Sequence, residues 1–404
     1  MTPLTSRPAT AEHAPVLPGD AGPGTETPLL LAAGTVILPD REYSPGWVEV
    51  RGGLIVACGA GDPPRPADVS LPAGVLAPGF IDAHNHGGGG VSFNDADTAA
   101  VTRRITQTHR DYGTTTMIAS LVTAPIDEME RLVRSLAELV HDGLLAGIHL
   151  EGPWLSPEHR GAHAAHLLLL PDQASVERLM GAGGGAVRMV TIAPELEGGL
   201  AAVARIVEYG AVAAVGHTDA DYDLTQAAIA AGATAGTHVF NAMRPLHHRA
   251  PGAALALLDD PTVFAELVAD GVHLHPAVVR LITDSPARPV FVTDAMAAAG
   301  AADGDYKLGA LDVRVVDGQA RLMDGTIAGS VLTLSNAVQY AVLTAGVPLP
   351  LAIRAATQNP ADLLTITDRG RIQPGLRADL VLLDADLHVH ATLLEGTWVS
   401  RTVS

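Results

Sequence analysis

The 404-residue sequence predicts an α/β fold, a closed (β/α)8 barrel with small β pieces at both chain ends. Three observations predict it. Apolar strands alternate with amphipathic helices through the middle of the chain, the pattern of a parallel sheet covered by helices. There are eight such strands, which favours a closed barrel over an open doubly wound sheet. The polar residues best suited to chemistry fall at the C-terminal ends of those strands, where a barrel assembles its active site.

Residues 1–27 are rich in Pro, Gly, Thr and Ala and lack the basic-then-apolar order of a signal peptide; they read as a disordered tail. Residues 28–77 read as short strands broken by turns: Leu29–Leu31, Thr35–Leu38, Trp47–Arg51 and Leu54–Gly59. The chain end mirrors this, with a turn at Gly370–Gly375 and strands at Asp379–Leu383, His388–Thr392 and Thr397–Ser400. The two ends could pair into one sheet.

Between them, strands are expected at Gly79–Asp82, Thr114–Leu121, Ala146–Leu150, Arg188–Ile192, Val212–Gly216, Ala235–His238, Ala265–Val268 and Val290–Val292. Helical periodicity covers Asp97–Tyr112, Ile126–His141, Gln173–Met180, Gly199–Tyr209, Tyr222–Ala231, Pro276–Asp284 and Leu332–Ala345. After the eighth strand, Leu311–Val316 and Gln319–Met323 flank Asp317-Gly318 and read as a β-hairpin.

Composition excludes several classes of function. The formal net charge is -19, a field that repels nucleic acid and anionic membranes. Hydrophobic residues make up 48% of the chain, ample for a globular core, yet no apolar run is long enough to span a bilayer. Cys58 is the only cysteine, so no internal disulfide can form, and a soluble cytoplasmic protein is expected.

The first strand ends in His84-Asn85-His86. Residues i and i+2 of a strand share a face, so both imidazoles can reach one metal ion. Glu151 follows the third strand, His217 the fifth, His238 the sixth and Asp294 the eighth. Each taken singly is more readily a hydrogen-bonded core histidine or a helix-capping acid than a ligand. Together, four imidazoles and two carboxylates at one rim suit one or two divalent ions such as Zn2+ or Fe2+. His163 and His273 lie on loops facing the same rim, and Arg249 is one of few cations near it; His159, His166, His247, His248 and His275 read as surface residues.

The segments 78–87, His149–Pro153, Gly216-His217-Thr218, His238–Met243 and Val292–Ala295 resemble the amidohydrolase superfamily and, within it, the N-acetylglucosamine-6-phosphate deacetylases. The resemblance runs from about residue 28 to the end. It implies a (β/α)8 TIM barrel over residues 78–369 and a small β-sandwich domain from 28–77 and 370–404. It also implies a homodimer that hydrolyses the acetamide of an amino-sugar phosphate in amino-sugar catabolism. Many superfamily members bridge two metals with a modified lysine after the fourth strand. Lys307 is the only lysine here, so Glu151 takes the ligand role after the third strand.

By the same resemblance, Glu151, His217 and His238 hold the main ion, and His84, His86 and Asp294 complete a second site. Asp294 would carry protons as well. Ala162 and His163 would meet the acetamido group, with His163 holding the developing oxyanion. Asn241 and Ala242 would meet the phosphate through backbone N–H groups, and His273 the sugar phosphate. Arg249 would come from the other subunit, and Ile327-Ala328-Gly329 would line the substrate. The galactosamine epimer, a dihydroorotase-like or aminoacylase activity, and a non-catalytic barrel scaffold stand as alternatives.

Overall fold

The computed structural model describes residues 27–95 and 99–401. Apart from Thr27, the tail expected over 1–27 lies outside these residues, as does the start of the helix expected at Asp97. Seven parallel strands run in chain order: Ala119–Val122, Ile148–Glu151, Val187–Ile192, Val212–Val215, Ala235–Gly236, Phe264–Leu267 and Arg288–Phe291. The first barrel strand, Phe80–Asp82, pairs in parallel with Thr114–Met117. That segment continues through Ile118 into Ala119–Val122, so the second strand has two halves. The break has a cause: Ile118 N–H still bonds the first strand at the Asp82 carbonyl, whereas Ala119 N–H already bonds Gly147 on the third-strand side.

The ring closes beyond the strands' formal ends. Asp294 N–H donates to the His84 carbonyl at 2.9 Å and His86 N–H to the Ala295 carbonyl at 2.8 Å, joining the eighth strand to the first. The result is the TIM-like barrel that the alternation predicts. Its strands are buried on both faces, as Ile148, Leu150, Met189, Val190, Ala213 and Val290 are.

Helices cover the barrel. Ile126–His141 turns Met129, Leu132, Val133, Leu136 and Leu139 inward at three- and four-residue spacing, with Asp127 and Glu128 at its positive N-terminal end. Gly252–Leu258, after the sixth strand, was not expected; at 7 residues it is too short to show a helical period. The helix expected over Leu332–Ala345 is instead Leu334–Gln339 followed by a π-helical turn, Tyr340–Thr344.

The chain ends form one eight-stranded sheet. Its centre is Val69–Pro78, which runs parallel to Leu29–Ile37 and antiparallel to Leu380–Leu383. The sequence reading missed this strand because Pro72 and Gly74 look like breakers. In the fold they sit at an irregularity in the pairing with Leu29–Ile37. A Cβ at Gly34 would lie 2.2 Å from the Pro72 carbonyl oxygen, and one at Gly74 2.5 Å from that of Leu383, so both positions need glycine for close backbone approach. This sheet has its own core, with Leu31, Val48, Ile55, Leu76, Leu380 and Leu393 all buried.

The hairpin at Asp317-Gly318 is present, and both turn residues have positive φ, 50° and 70°. A further strand, Gly304–Leu308, precedes it and makes the excursion three-stranded.

Candidate metal centre and active site

Each chemically suited side chain sits where a barrel strand ends, and the backbone bends sharply there. His217, His238 and Asp294 have φ of 47°, 27° and 48°, and Phe240 and Ala242 in the loop after the sixth strand have 77° and 49°. Non-glycine residues rarely adopt such angles, and they persist where the surrounding structure enforces them for a site. The turns throw His217 and His238 inward onto Glu151, the last residue of the third strand, and Asp294 onto His86.

Two groups of three can each hold a metal ion: Glu151, His217 and His238, and His84, His86 and Asp294. Within each, the ligand atoms lie within 4.8 Å of one another. Glu151 stands between them. Its Oε1 is 3.1 Å from Nε2 of both His217 and His238, and its Oε2 is 3.1 Å from Nε2 of His86. Asp294 Oδ1 is 3.3 Å from His86 Nε2.

The far sides of the rings test whether these residues fit a metal. His84 Nδ1 faces Glu266 Oε2 at 3.1 Å, His86 Nδ1 the Ser120 carbonyl at 3.2 Å and His217 Nδ1 the His159 carbonyl at 2.8 Å. Each partner only accepts, so each Nδ1 carries the proton and each Nε2 turns a bare lone pair inward. Yet His84 and His86 bring their Nε2 atoms within 3.0 Å of each other, and His217 and His238 within 3.1 Å. At His84 and His86 two lone pairs therefore face one another beside a carboxylate, which calls for a cation between them, and the imidazole and carboxylate donors of both groups suit a divalent metal.

Electrostatics agree. Burial works against charge on His84 and His86, but Glu151 holds His84 well above its usual pKa, and Asp294 with Glu151 pushes His86 to about 9. Burial likewise opposes charge on Glu151 and Asp294. The imidazoles around them nonetheless hold Glu151 well below the carboxylate range and Asp294 at about 2. The cluster therefore draws in positive charge, whether as protons or as metal.

His163 is set the opposite way. The backbone N–H of Thr123 points at its Nδ1 from 3.4 Å, and Thr123 Oγ1 lies at 2.9 Å. Nδ1 must accept, so the proton is on Nε2, which faces the site 3.4 Å from Glu151 Oε2. His163 is thus poised as a donor and not as a ligand.

A cavity of about 320 Å³ opens above the cluster. Its walls include Ala162, His163, Asn241, Ala242, His273, Ile327 and Gly329 beside His86, Glu151, His217, His238 and Asp294. His273 donates from Nδ1 to Asp270 Oδ2 at 2.7 Å, which leaves Nε2 towards Asp294 Oδ2, 3.9 Å away.

Several expectations need correction. Ala328 does not line the cavity; it is buried in the core of the hairpin excursion, where its N–H bonds the Ala320 carbonyl. The Asn241 N–H expected for phosphate is committed to the His238 carbonyl at 3.0 Å, inside the tight turn. Arg249 needs no correction: expected to serve the other subunit's site, it is exposed, beside His248, and does not line this chain's own cavity. His159 is no mere surface residue: its carbonyl orients His217, and its ring bonds Asp219 at 2.9 Å.

Glu266, Asp270 and Thr123 were missed altogether. They hold ligands and donors from behind, and nothing in a single buried acid or threonine on an apolar strand signals that. A third acidic group, Glu158, His159 and Asp219, is no comparable metal site, because Arg244 already grips both oxygens of Asp219.

The amidohydrolase family profile matches residues 75–404. N-acetylglucosamine-6-phosphate deacetylase of Lysinibacillus sphaericus is 32% identical over 327 residues, covering 80% of this chain and 84% of that protein. N-acetylgalactosamine-6-phosphate deacetylase of Escherichia coli O157:H7 is 34% identical over 367 residues, 88% of this chain and 96% of that one. Among solved structures, a point variant of N-acetyl-D-glucosamine-6-phosphate deacetylase from Mycobacterium smegmatis, in complex with N-acetyl-D-glucosamine 6-phosphate, is 49% identical. It gives a TM-score of 0.90 over 93% of this chain and 100% of that one. By sequence over most of its length, by fold, and by the residues at its strand ends, this chain belongs to the amidohydrolase family, in the group of the N-acetylglucosamine-6-phosphate deacetylases and their galactosamine counterparts.

Proposed function

We propose that the chain is a metal-dependent hydrolase that converts N-acetyl-D-glucosamine 6-phosphate and water to D-glucosamine 6-phosphate and acetate, in amino-sugar catabolism. The observation that carries this reading is the convergence of Glu151, four inward-facing imidazoles and Asp294 beneath a cavity that also holds a histidine donor, His163. Relatives named for this reaction support the substrate.

Glu151, His217 and His238 would hold one divalent ion, and His84, His86 and Asp294 a second, with Zn2+ or Fe2+ the best match to imidazole and carboxylate donors. A bound divalent ion polarises an amide carbonyl and acidifies water. The protein's own groups do the rest. Asp294, an acceptor at neutral pH, takes a proton from the attacking water and returns it to the amine as the C–N bond breaks. His163 donates from Nε2 to the carbonyl oxygen as negative charge develops there. His273, oriented by Asp270, offers its Nε2 to the sugar phosphate, and Asn241 and Ala242 form the wall at that end.

Arg249, exposed on its own chain, fits a role in the site of a partner subunit in a homodimer. A cytoplasmic setting and a division into a barrel (78–369) and a smaller β-sandwich domain (28–77 and 370–404) complete the reading. The separate core of the chain-end sheet supports that division.

The galactosamine epimer is the second reading, favoured by a relative of that name at 34% identity. Acetate release would be measured with N-acetylglucosamine and N-acetylgalactosamine, each with and without the 6-phosphate, alongside N-acyl amino acids. Fastest turnover of the phosphorylated gluco substrate is expected. Preference for the galacto epimer would move the assignment to the second reading, and preference for an N-acyl amino acid would overturn both.

A further inference from the structure

Glu266 is fully buried on the seventh strand, at the back of the cluster and not among the residues lining the cavity. Its Oε2 accepts from His84 Nδ1 at 3.1 Å and faces the backbone N–H of His238 at 3.4 Å. Among the described residues its Oε1 has no hydrogen-bond partner. A buried carboxylate so sparsely satisfied is costly unless positive charge lies close by. Among the described residues no lysine or arginine bonds it, so that charge has to come through His84, as a proton on the ring or as an ion on its inward nitrogen.

The surroundings of the other rings sharpen the point. His86 and His217 are oriented by neutral backbone carbonyls, and among the described residues His238 Nδ1 has no hydrogen-bond partner. Only His84 is backed by a carboxylate, which makes its inward nitrogen the most basic of the set. Glu266 also adds a third negative group to Glu151 and Asp294. With neutral imidazoles, one divalent ion leaves such a centre negative, and two carry it just past neutral.

We infer that Glu266 is a positioning residue that makes the His84, His86 and Asp294 group a true second metal site in this chain. It fixes the ring and tautomer of His84 and supplies the charge that balances a second ion. This rests on the metal-dependent reading above and goes beyond it, because it ties occupancy of the second site to one residue outside the ligand set.

The test counts ions and does not depend on turnover. Chelated full-length protein would be equilibrated in Zn2+ buffers and its ions per chain measured by elemental analysis, with Co2+ visible absorption as a second readout. Wild type is expected to take up two ions. Glu266→Gln keeps the shape and an acceptor oxygen but removes the charge. It should weaken one ion by roughly ten- to a hundredfold and leave the other unchanged. Glu266→Asp restores the charge and should recover part of that loss; it also serves as the test if the glutamine variant fails to fold.

Two ions bound as in wild type by Glu266→Gln, equal weakening of both ions, or no recovery in Glu266→Asp would each overturn the inference. So would a wild type that saturates at one ion, which leaves the proposed reaction standing. A wild type that binds none would instead bring down the metal-dependent reading itself.

Discussion

The histidines of the cluster carry their protons on different nitrogens, and that divides their work. His84, His86 and His217 are held as Nδ1–H tautomers and turn lone pairs inward; His163 is held as the Nε2–H tautomer and turns a donor inward. Asp294 is the residue whose loss should separate chemistry from binding. Asp294→Asn keeps its size and should lower kcat by about a thousandfold or more, towards the strong end for a proton-transfer group. The ion on Glu151, His217 and His238 should stay, as elemental analysis of the variant will read. Glu151→Ala should differ by losing metal outright, since Glu151 touches both groups. The candidate ligand set could be read from sequence because each member lies at a strand end in a distinctive segment. The tautomers could not, because Thr123 and Glu266 lie 40 and 182 positions away from the rings they orient.

Strand ends and sheet joints are the elements that place these side chains. The positive-φ turns after the fifth, sixth and eighth strands aim the candidate ligands, and the bonds between His84, His86, Asp294 and Ala295 close the ring at the same level. Alternating strands and helices made the barrel legible, because buried parallel strands are uniformly apolar. The chain-end sheet was harder to read. Val69–Pro78 is its central strand, but it carries a proline and a glycine that local pattern assigns to a turn, and only the partner strands show why they are tolerated. The joint yields a stability prediction. Leu76 is fully buried in that strand, so Leu76→Ala should cost about 2–5 kcal/mol in urea unfolding. It lies in the separate core of the end sheet, so ions per chain in the folded protein should not change. A loss of metal without a loss of stability would contradict this separation.

At the scale of the whole molecule, the formal net charge of -19 poses a problem for an anionic substrate, which needs a local cation. Arg249 is exposed and outside its own cavity, so the proposed solution is supply from a partner subunit. Arg249→Ala should raise KM for the 6-phosphate substrate by roughly ten- to a hundredfold, the loss of one charge-assisted pair. Turnover of an unphosphorylated N-acetyl sugar should barely change. Mixing Arg249→Ala chains with Asp294→Asn chains should restore activity in mixed dimers, through a site with Asp294 from the first and Arg249 from the second; no recovery would return Arg249 to its own subunit. Whether the cluster under the cavity is a metal centre that deacetylates an amino-sugar phosphate is decided by acetate release from N-acetyl-D-glucosamine 6-phosphate, measured against ions bound per chain. No turnover is expected in metal-free protein, and activity should rise with Zn2+ or Fe2+ uptake; full activity in protein shown by elemental analysis to be metal-free, or none at full loading, would overturn the metal-centre reading.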